Sequence, residues 1–227
     1  MIEPARPRAW LAWSSGKDSA WALHEARRAG AVDIVGLLTT YTEPHDRVSM
    51  HGVRLELVRA QAAAVGLPLV LVPIPALCPD QLYEARMAEA MAAARTAGVT
   101  HVAFGDLFLA DVRAYREAQL AKVDLTPMFP LWGRDTTALV NEMLAAGVEA
   151  WVTCVDPRRA PARLAGQRLT TALLDALPPE VDRCFEHGEA HTFAAAGPAF
   201  AHPIAVRPGV IVERDGFIFA DLRPAAP

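Results

Sequence analysis

Over about the first 175 residues, short apolar runs alternate with stretches whose apolar positions recur every three or four residues. That pattern predicts an α/β fold, a mostly parallel sheet covered by helices. Strands are expected at 9–13, 34–39, 68–73, 102–104 and 148–155, with a short extended piece at 127–131. Helices are expected at 18–29, 53–65, 80–97, 109–122, 136–146 and 164–177, and residues 40–52 read as a polar loop. Gly30, Gly66, Gly98 and Gly147 stand where helices should stop, because glycine accepts the left-handed conformation of a helix end. Beyond Pro178-Pro179 the texture changes to short β-like pieces, including a hairpin in which 210–213 and 217–220 flank Asp215-Gly216. The chain therefore ends in a small α+β region.

Composition narrows the class without naming a chemistry. The 227 residues are 52% hydrophobic and 21% charged, enough for a full α/β core. Prolines interrupt the longest apolar runs, which fall short of the roughly 18 residues of a membrane span. The start, Met1 to Arg8, has neither the apolar segment nor the cleavage site of a leader, so a cytoplasmic protein is expected. Cys78, Cys154 and Cys184 are scattered and form no CxxC pair, which argues for buried thiols. A net charge of -4 with dispersed arginines argues against a nucleic-acid partner. A small molecule or a protein is the expected substrate.

The first chemical signal follows the first predicted strand. Ser14-Ser15-Gly16-Lys17-Asp18-Ser19 forms a turn that leads into a helix, aiming unpaired N–H groups and the positive helix end at an anion. Gly16 permits close approach of phosphate, Lys17 adds a charge, and Ser14, Ser15 and Ser19 add hydroxyl donors. The loop is not a Walker A motif, since Leu11 stands where its first glycine belongs and Asp18 follows the lysine. Taken alone, the segment equally fits a serine-rich turn capped by Asp18 or Ser19.

Ser-x-Gly-Lys-Asp-Ser resembles the PP-loop of the N-type ATP pyrophosphatases, usually SGGKDS, with Ser15 replacing one glycine. Four further segments extend the resemblance to the diphthine-ammonia ligase (diphthamide synthase) family. They are Met50-His51; His101 to Asp106 with Asp111, Arg113 and Arg116; Pro130-Leu131-Trp132 with Asp135; and Asp182 to Phe193 with its Glu186, Glu189, His191 and Thr192. Phe185 and Ala190 depart from that family's usual glycine and aromatic residue, which points to a reshaped substrate pocket. Each segment also has a plain reading: a surface histidine, a solvated arginine face, core packing of Trp132, a charged hairpin rim.

The resemblance implies a doubly wound, Rossmann-like PP-loop domain over residues 1–135 and a substrate-binding region over 136–227. It implies ATP and Mg²⁺ as cofactors, with Ser14, Ser15, Gly16, Lys17, Asp18, Ser19, Thr39, Gly105 and Asp106 around the nucleotide and Asp18 on the metal. Catalysis would fall to Lys17, Asp18, Glu186 and Glu189, and substrate contacts to His51, Arg113, Arg116, Trp132, Glu186, Glu189, His191 and Thr192. The implied reaction adenylates a small-molecule or protein-borne carboxylate, releases pyrophosphate and forms an amide with ammonia. The chain begins Met1-Ile2, without the cysteine of a glutaminase, so free ammonia is the simpler nitrogen source. The pattern shows which faces are buried but not against what, so the oligomeric state stays open, with a homodimer among the alternatives. The rival readings are a PP-loop enzyme of tRNA modification, disfavoured by the charge and the absent CxxC, and a nucleotide-binding protein without turnover.

Overall fold

A computed structural model describes residues 5–225; Met1-Ile2 and half of the stretch read for a leader lie outside them. Strand β1 (Arg8–Ala12) is central to a sheet in which β2 (Asp33–Thr42) and β5 (His101–Ala103) flank it, both parallel. Strand β4 (Leu69–Ile74) lies parallel outside β2, and β6 (Thr126–Met128) parallel outside β5. Each predicted strand of this sheet is present.

Helices cover both faces. α1 (Lys17–Ala29) and α2 (Leu55–Val65) bury Trp21, Leu23, Leu57 and Val58 in one core with Leu11 and Leu37. α3 (Asp80–Thr96) and α4 (Ala110–Ala121) give Met91, Ala94 and Leu120 to a second core with Trp10, Leu38, Val102 and Phe104. β1 sends its chain to the first face and β5 to the second, so the order of connection reverses between them. Ligands of such sheets bind outside the strand ends at this reversal.

A second sheet has the order β8-β7-β10-β9, with every neighbour antiparallel, and it is built from β7 (Glu149–Val155), β8 (Ala190–Ala196), β9 (Val206–Arg214) and β10 (Phe217–Pro224). The hairpin β9–β10 turns at Asp215-Gly216, both with positive φ, as the Asp-Gly pair predicts. The second sheet shares the first core through Val152, Phe193, Ala194 and Leu222. α5 (Thr136–Ala145) leads into this sheet, its N-terminus capped by Asp135, which accepts from Ala138 N at 2.7 Å.

Three expectations are corrected. The strand at 148–155 exists as β7 but lies in the antiparallel sheet, because its partners arrive later in the chain as hairpin strands. The expected helix 164–177 is broken into a 3₁₀ turn, Ala162–Leu164, and a short helix α6, Thr171–Asp175. Between them the backbone pairs with β7, with Gly166 N on Val152 O and Leu169 N on Ala150 O, and the Thr170 side chain then caps α6. The expected loop 40–52 holds a 3₁₀ turn, Glu43–His45, and a two-residue strand β3, Arg47–Val48. β3 runs antiparallel to the end of β2, beyond the point where β1 stops. That placement lays the chain after β3 over the end of β1.

Gln61 of α2 joins the parts and is fully buried. Its Oε1 accepts from Trp13 Nε1 at 2.8 Å, and its Nε2 donates to Ser15 O at 3.0 Å and Ala194 O at 2.7 Å. Replacing it leaves an indole N–H buried without a partner, which costs as much as the lost bonds. Gln61→Leu is expected to destabilise the protein by about 2–4 kcal/mol in urea unfolding.

Candidate active site

A cleft of about 500 Å³ opens at the ends of β1, β2 and β5. One end is polar, formed by Ser14, Lys17, Asp18, Ser19, His51, Glu186, His191 and Thr192. The other runs between α3 and α4 and is mostly apolar, with Leu38, Met87, Met91, Val102, Phe104 and Val112. The glycine that ends β5 makes the junction tight. A Cβ on Gly105 would stand 3.0 Å from the backbone carbon of Asp18, so only glycine lets the β5 turn meet the start of α1 this closely.

The serine-glycine loop has the shape its residues imply. Gly16 precedes α1 in extended conformation, and its N–H donates to Ser14 Oγ at 3.3 Å. Ser15 has φ 71°, in the left-handed region that glycine adopts without strain. Its hydroxyl is buried and finds no partner among the described residues, while its carbonyl accepts from Ala194 N at 2.9 Å.

Lys17 is 1% exposed. Its Nζ donates to both Asp18 carboxylate oxygens, at 2.9 and 2.8 Å, and to Cys184 O at 2.6 Å. Burial pulls the ammonium's pKa down, but the charge and hydrogen bonds of Asp18 outweigh it and the net shift is upward. The lysine is therefore a charged group held in a cage of oxygens. Its backbone N–H donates to Thr192 Oγ1 at 3.1 Å, so the same residue ties the loop to segment 182–192 twice.

That segment brings Glu186 into the cleft, where Oε1 accepts from Leu107 N at 2.8 Å. Burial, with Asp18 and Asp106 nearby, raises its carboxyl to about 7. His51 reaches the cleft from the turn after β3, with Nδ1 3.0 Å from Thr192 O, and its ring lies 4.6 Å from that of His191. Burial and the neighbouring cationic groups lower the two histidines to about 3 and about 4. Both are neutral at physiological pH. A neutral His51 that donates from Nδ1 to a carbonyl presents Nε2 as an acceptor.

Several expected residues lie elsewhere. Thr39 is buried with Oγ1 donating to Trp13 O at 2.7 Å, whereas Leu38 and Thr40 line the cleft; along a strand alternate side chains take opposite faces. Glu189 is 3% exposed and turned into the segment, where Oε1 accepts from Asp182 N at 2.9 Å. Arg113 and Arg116 diverge. Arg116 lines the cleft, pairs with Asp106 at 2.6 and 3.0 Å and covers the ring of Phe104. Arg113 pairs with Glu117 and lies over Phe129 and Trp132, so Trp132 belongs to this stack outside the cleft. Ser15 turns its side chain inward. Among the described residues no group of three or more His, Cys, Asp and Glu is arranged to hold a metal ion, and no helix is long and apolar enough to cross a membrane.

Residues 8–122, from β1 through α4, match the family model for the diphthamide synthase N-terminal domain. The chain belongs to that family. It matches no curated protein. The diphthamide synthase match contains the loop, His51 and the Gly105-Asp106 turn, and it ends before Glu186 and Thr192. Sequence reading missed Leu38 and Thr40, which the alternation of β2 could have flagged, and the Cys184 carbonyl, which no side-chain pattern reports.

Two outcomes follow. Ser15→Gly removes the left-handed strain and the unpaired hydroxyl together, and should raise stability by up to about 1 kcal/mol in denaturant unfolding. Glu186 binds its proton more tightly folded than unfolded, so its contribution falls as pH rises from the ordinary carboxylate value toward about 7 and is level above it. Glu186→Gln should therefore gain stability relative to the parent between pH 5 and pH 8, measured as the difference between unfolding curves.

Proposed function

We propose that the protein adenylates a carboxylate with ATP, releases pyrophosphate, and transfers the acyl group to ammonia to form an amide. The observation that carries this reading is the pairing, in one cleft, of an anion-binding loop around Lys17 with a titratable carboxyl at Glu186. Membership in the diphthamide synthase family supports an ATP-using PP-loop enzyme.

The loop 14–19 takes the β- and γ-phosphates on the N–H groups that begin α1, the hydroxyls of Ser14 and Ser19, and Lys17. The apolar trough by Leu38, Val102 and Phe104 takes the adenosine, with Thr40 and Gly105 at its edge. Asp18 fits one carboxylate ligand of Mg²⁺, an ion that commonly completes its shell with phosphate oxygens and water. There Mg²⁺ would neutralise charge on the phosphates.

The substrate carboxylate attacks the α-phosphorus and pyrophosphate leaves, which turns a poor leaving oxygen into AMP. Ammonia then attacks the acyl carbon and AMP departs. Glu186, poised near neutrality, accepts the proton that the ammonium must lose. Neutral His51 and His191 accept hydrogen bonds from ligand N–H or O–H groups without repelling an ammonium. Glu189 supports the segment from behind, and Arg116 holds Asp106 at the β5 turn.

Incubation with Mg·ATP, ammonium and a panel of carboxylates should yield AMP and pyrophosphate together with the amide. Lys17→Ala should lower kcat by about 10²–10³-fold, the range seen when a charge-stabilising group is lost. Production of ADP and phosphate would contradict adenylation, and AMP release that depends on tRNA would move the protein to a different PP-loop chemistry.

A further inference from the structure

The turn that carries His51 is clamped by a residue of the C-terminal hairpin. Residues 47–54 fold back tightly: Val48 N donates to Val53 O at 2.8 Å, Gly52 N to Val48 O at 2.9 Å, and Arg47 bridges Arg54. This closure sets two guanidinium groups side by side, an arrangement that by itself repels. Asp221 of β10 lies between them, 6% exposed. Its Oδ1 accepts from Arg47 Nη2 at 2.9 Å and Arg54 Nε at 2.8 Å, and its Oδ2 from Arg54 Nη2 at 2.9 Å and Arg223 Nε at 3.0 Å. Although burial alone would raise this carboxyl, the three arginines hold it well below the ordinary carboxylate range.

The clamp reaches the turn at two further points. Arg47 Nη1 donates to Gly52 O at 2.7 Å. The ring of Phe219, two residues before Asp221 on β10, abuts Gly52 so closely that a Cβ there would stand 2.7 Å from its edge. Gly52 has φ 67° and Met50 φ 63°, so the turn keeps its form through left-handed residues that the clamp must hold in place. From that turn His51 reaches over the PP-loop, its Cε1 3.0 Å from the position a Cβ on Gly16 would take.

We infer that Asp221 is a positioning residue for the nucleotide site, acting through Arg47 and Arg54 to hold His51 over the loop 14–19. It lies about a hundred residues beyond the end of the family match at residue 122, so the site of the matched domain is completed by the C-terminal hairpin. The inference rests on the reading of the cleft as a nucleotide site, but its geometric part stands apart from it.

The test uses full-length Asp221→Asn and, as a control that loses stability elsewhere, the core truncation Leu174→Ala on α6. Two readouts are taken: Mg·ATP affinity by calorimetry and the pH titration of the His51 ring by NMR. The titratable or charged neighbours of that ring are His191 and Lys17. In the parent and in Leu174→Ala, His51 should stay neutral down to about pH 3–4. In Asp221→Asn it should titrate upward toward the ordinary histidine range, and Mg·ATP should bind about tenfold more weakly, the equivalent of one lost charged contact. An unchanged His51 titration in Asp221→Asn, or the same shift in both variants, overturns the inference. Failure of the parent to bind Mg·ATP contradicts the nucleotide reading, and the NMR result still decides the positioning.

Discussion

The site depends on a single buried ammonium. Lys17 Nζ is engaged with both Asp18 carboxylate oxygens and the Cys184 carbonyl, and its main-chain N–H is on Thr192. A charge at 1% exposure is tolerable only when its lost hydration is replaced, and here two parts of the chain 167 residues apart supply the replacement. The PP-loop and the acidic segment therefore hold each other in place. Removing Asp18 would leave the buried ammonium unpaired, and removing the Cys184 carbonyl or the Thr192 hydroxyl would leave a buried donor unsatisfied.

This arrangement brings the two halves of the proposed chemistry, phosphate binding and proton transfer, into one cleft. The loop follows β1 and the Gly105 turn follows β5, the two strands between which the sheet reverses. Their ends leave an opening with a positive helix terminus on one side and an apolar trough on the other. The second sheet closes the polar side with β8 and the segment before it, bringing Glu186 and His191 to the loop. Burial then sets their protonation: it raises the carboxyl and lowers the imidazoles, so the carboxyl titrates near neutral pH while the imidazoles are neutral there.

Much of this was legible in the residues. The period of apolar positions placed β1, β2, β4 and β5 and the first five helices, and Asp215-Gly216 located the β9–β10 hairpin. Ser14, Gly16, Lys17 and Ser19 gave the loop between β1 and α1, and the structure places Ser14, Lys17 and Ser19 on the polar end of the cleft. What failed depended on distant chain. The break in 164–177 arises because that backbone pairs with β7, and periodicity measures only burial. Arg113 shares its motif with the cleft residues Asp106 and Arg116 yet stacks on Trp132 outside the cleft. Thr39 was displaced by one residue, enough in a strand to reverse its face. Asp221 carries no motif at all, since its importance lies in two arginines more than 160 residues away.

In the proposed nucleotide complex the lysine cage reorganises, because Lys17 Nζ is closed on Asp18 and the Cys184 carbonyl and must turn from them to reach a phosphate. The most direct test is a crystal structure of the protein with Mg²⁺ and a non-hydrolysable ATP analogue. The account predicts Lys17 Nζ on a β- or γ-phosphate oxygen, Asp18 turned to the metal, and the base in the trough beside Phe104. A nucleotide bound elsewhere, with Lys17 still closed on Asp18 and Cys184, would contradict it.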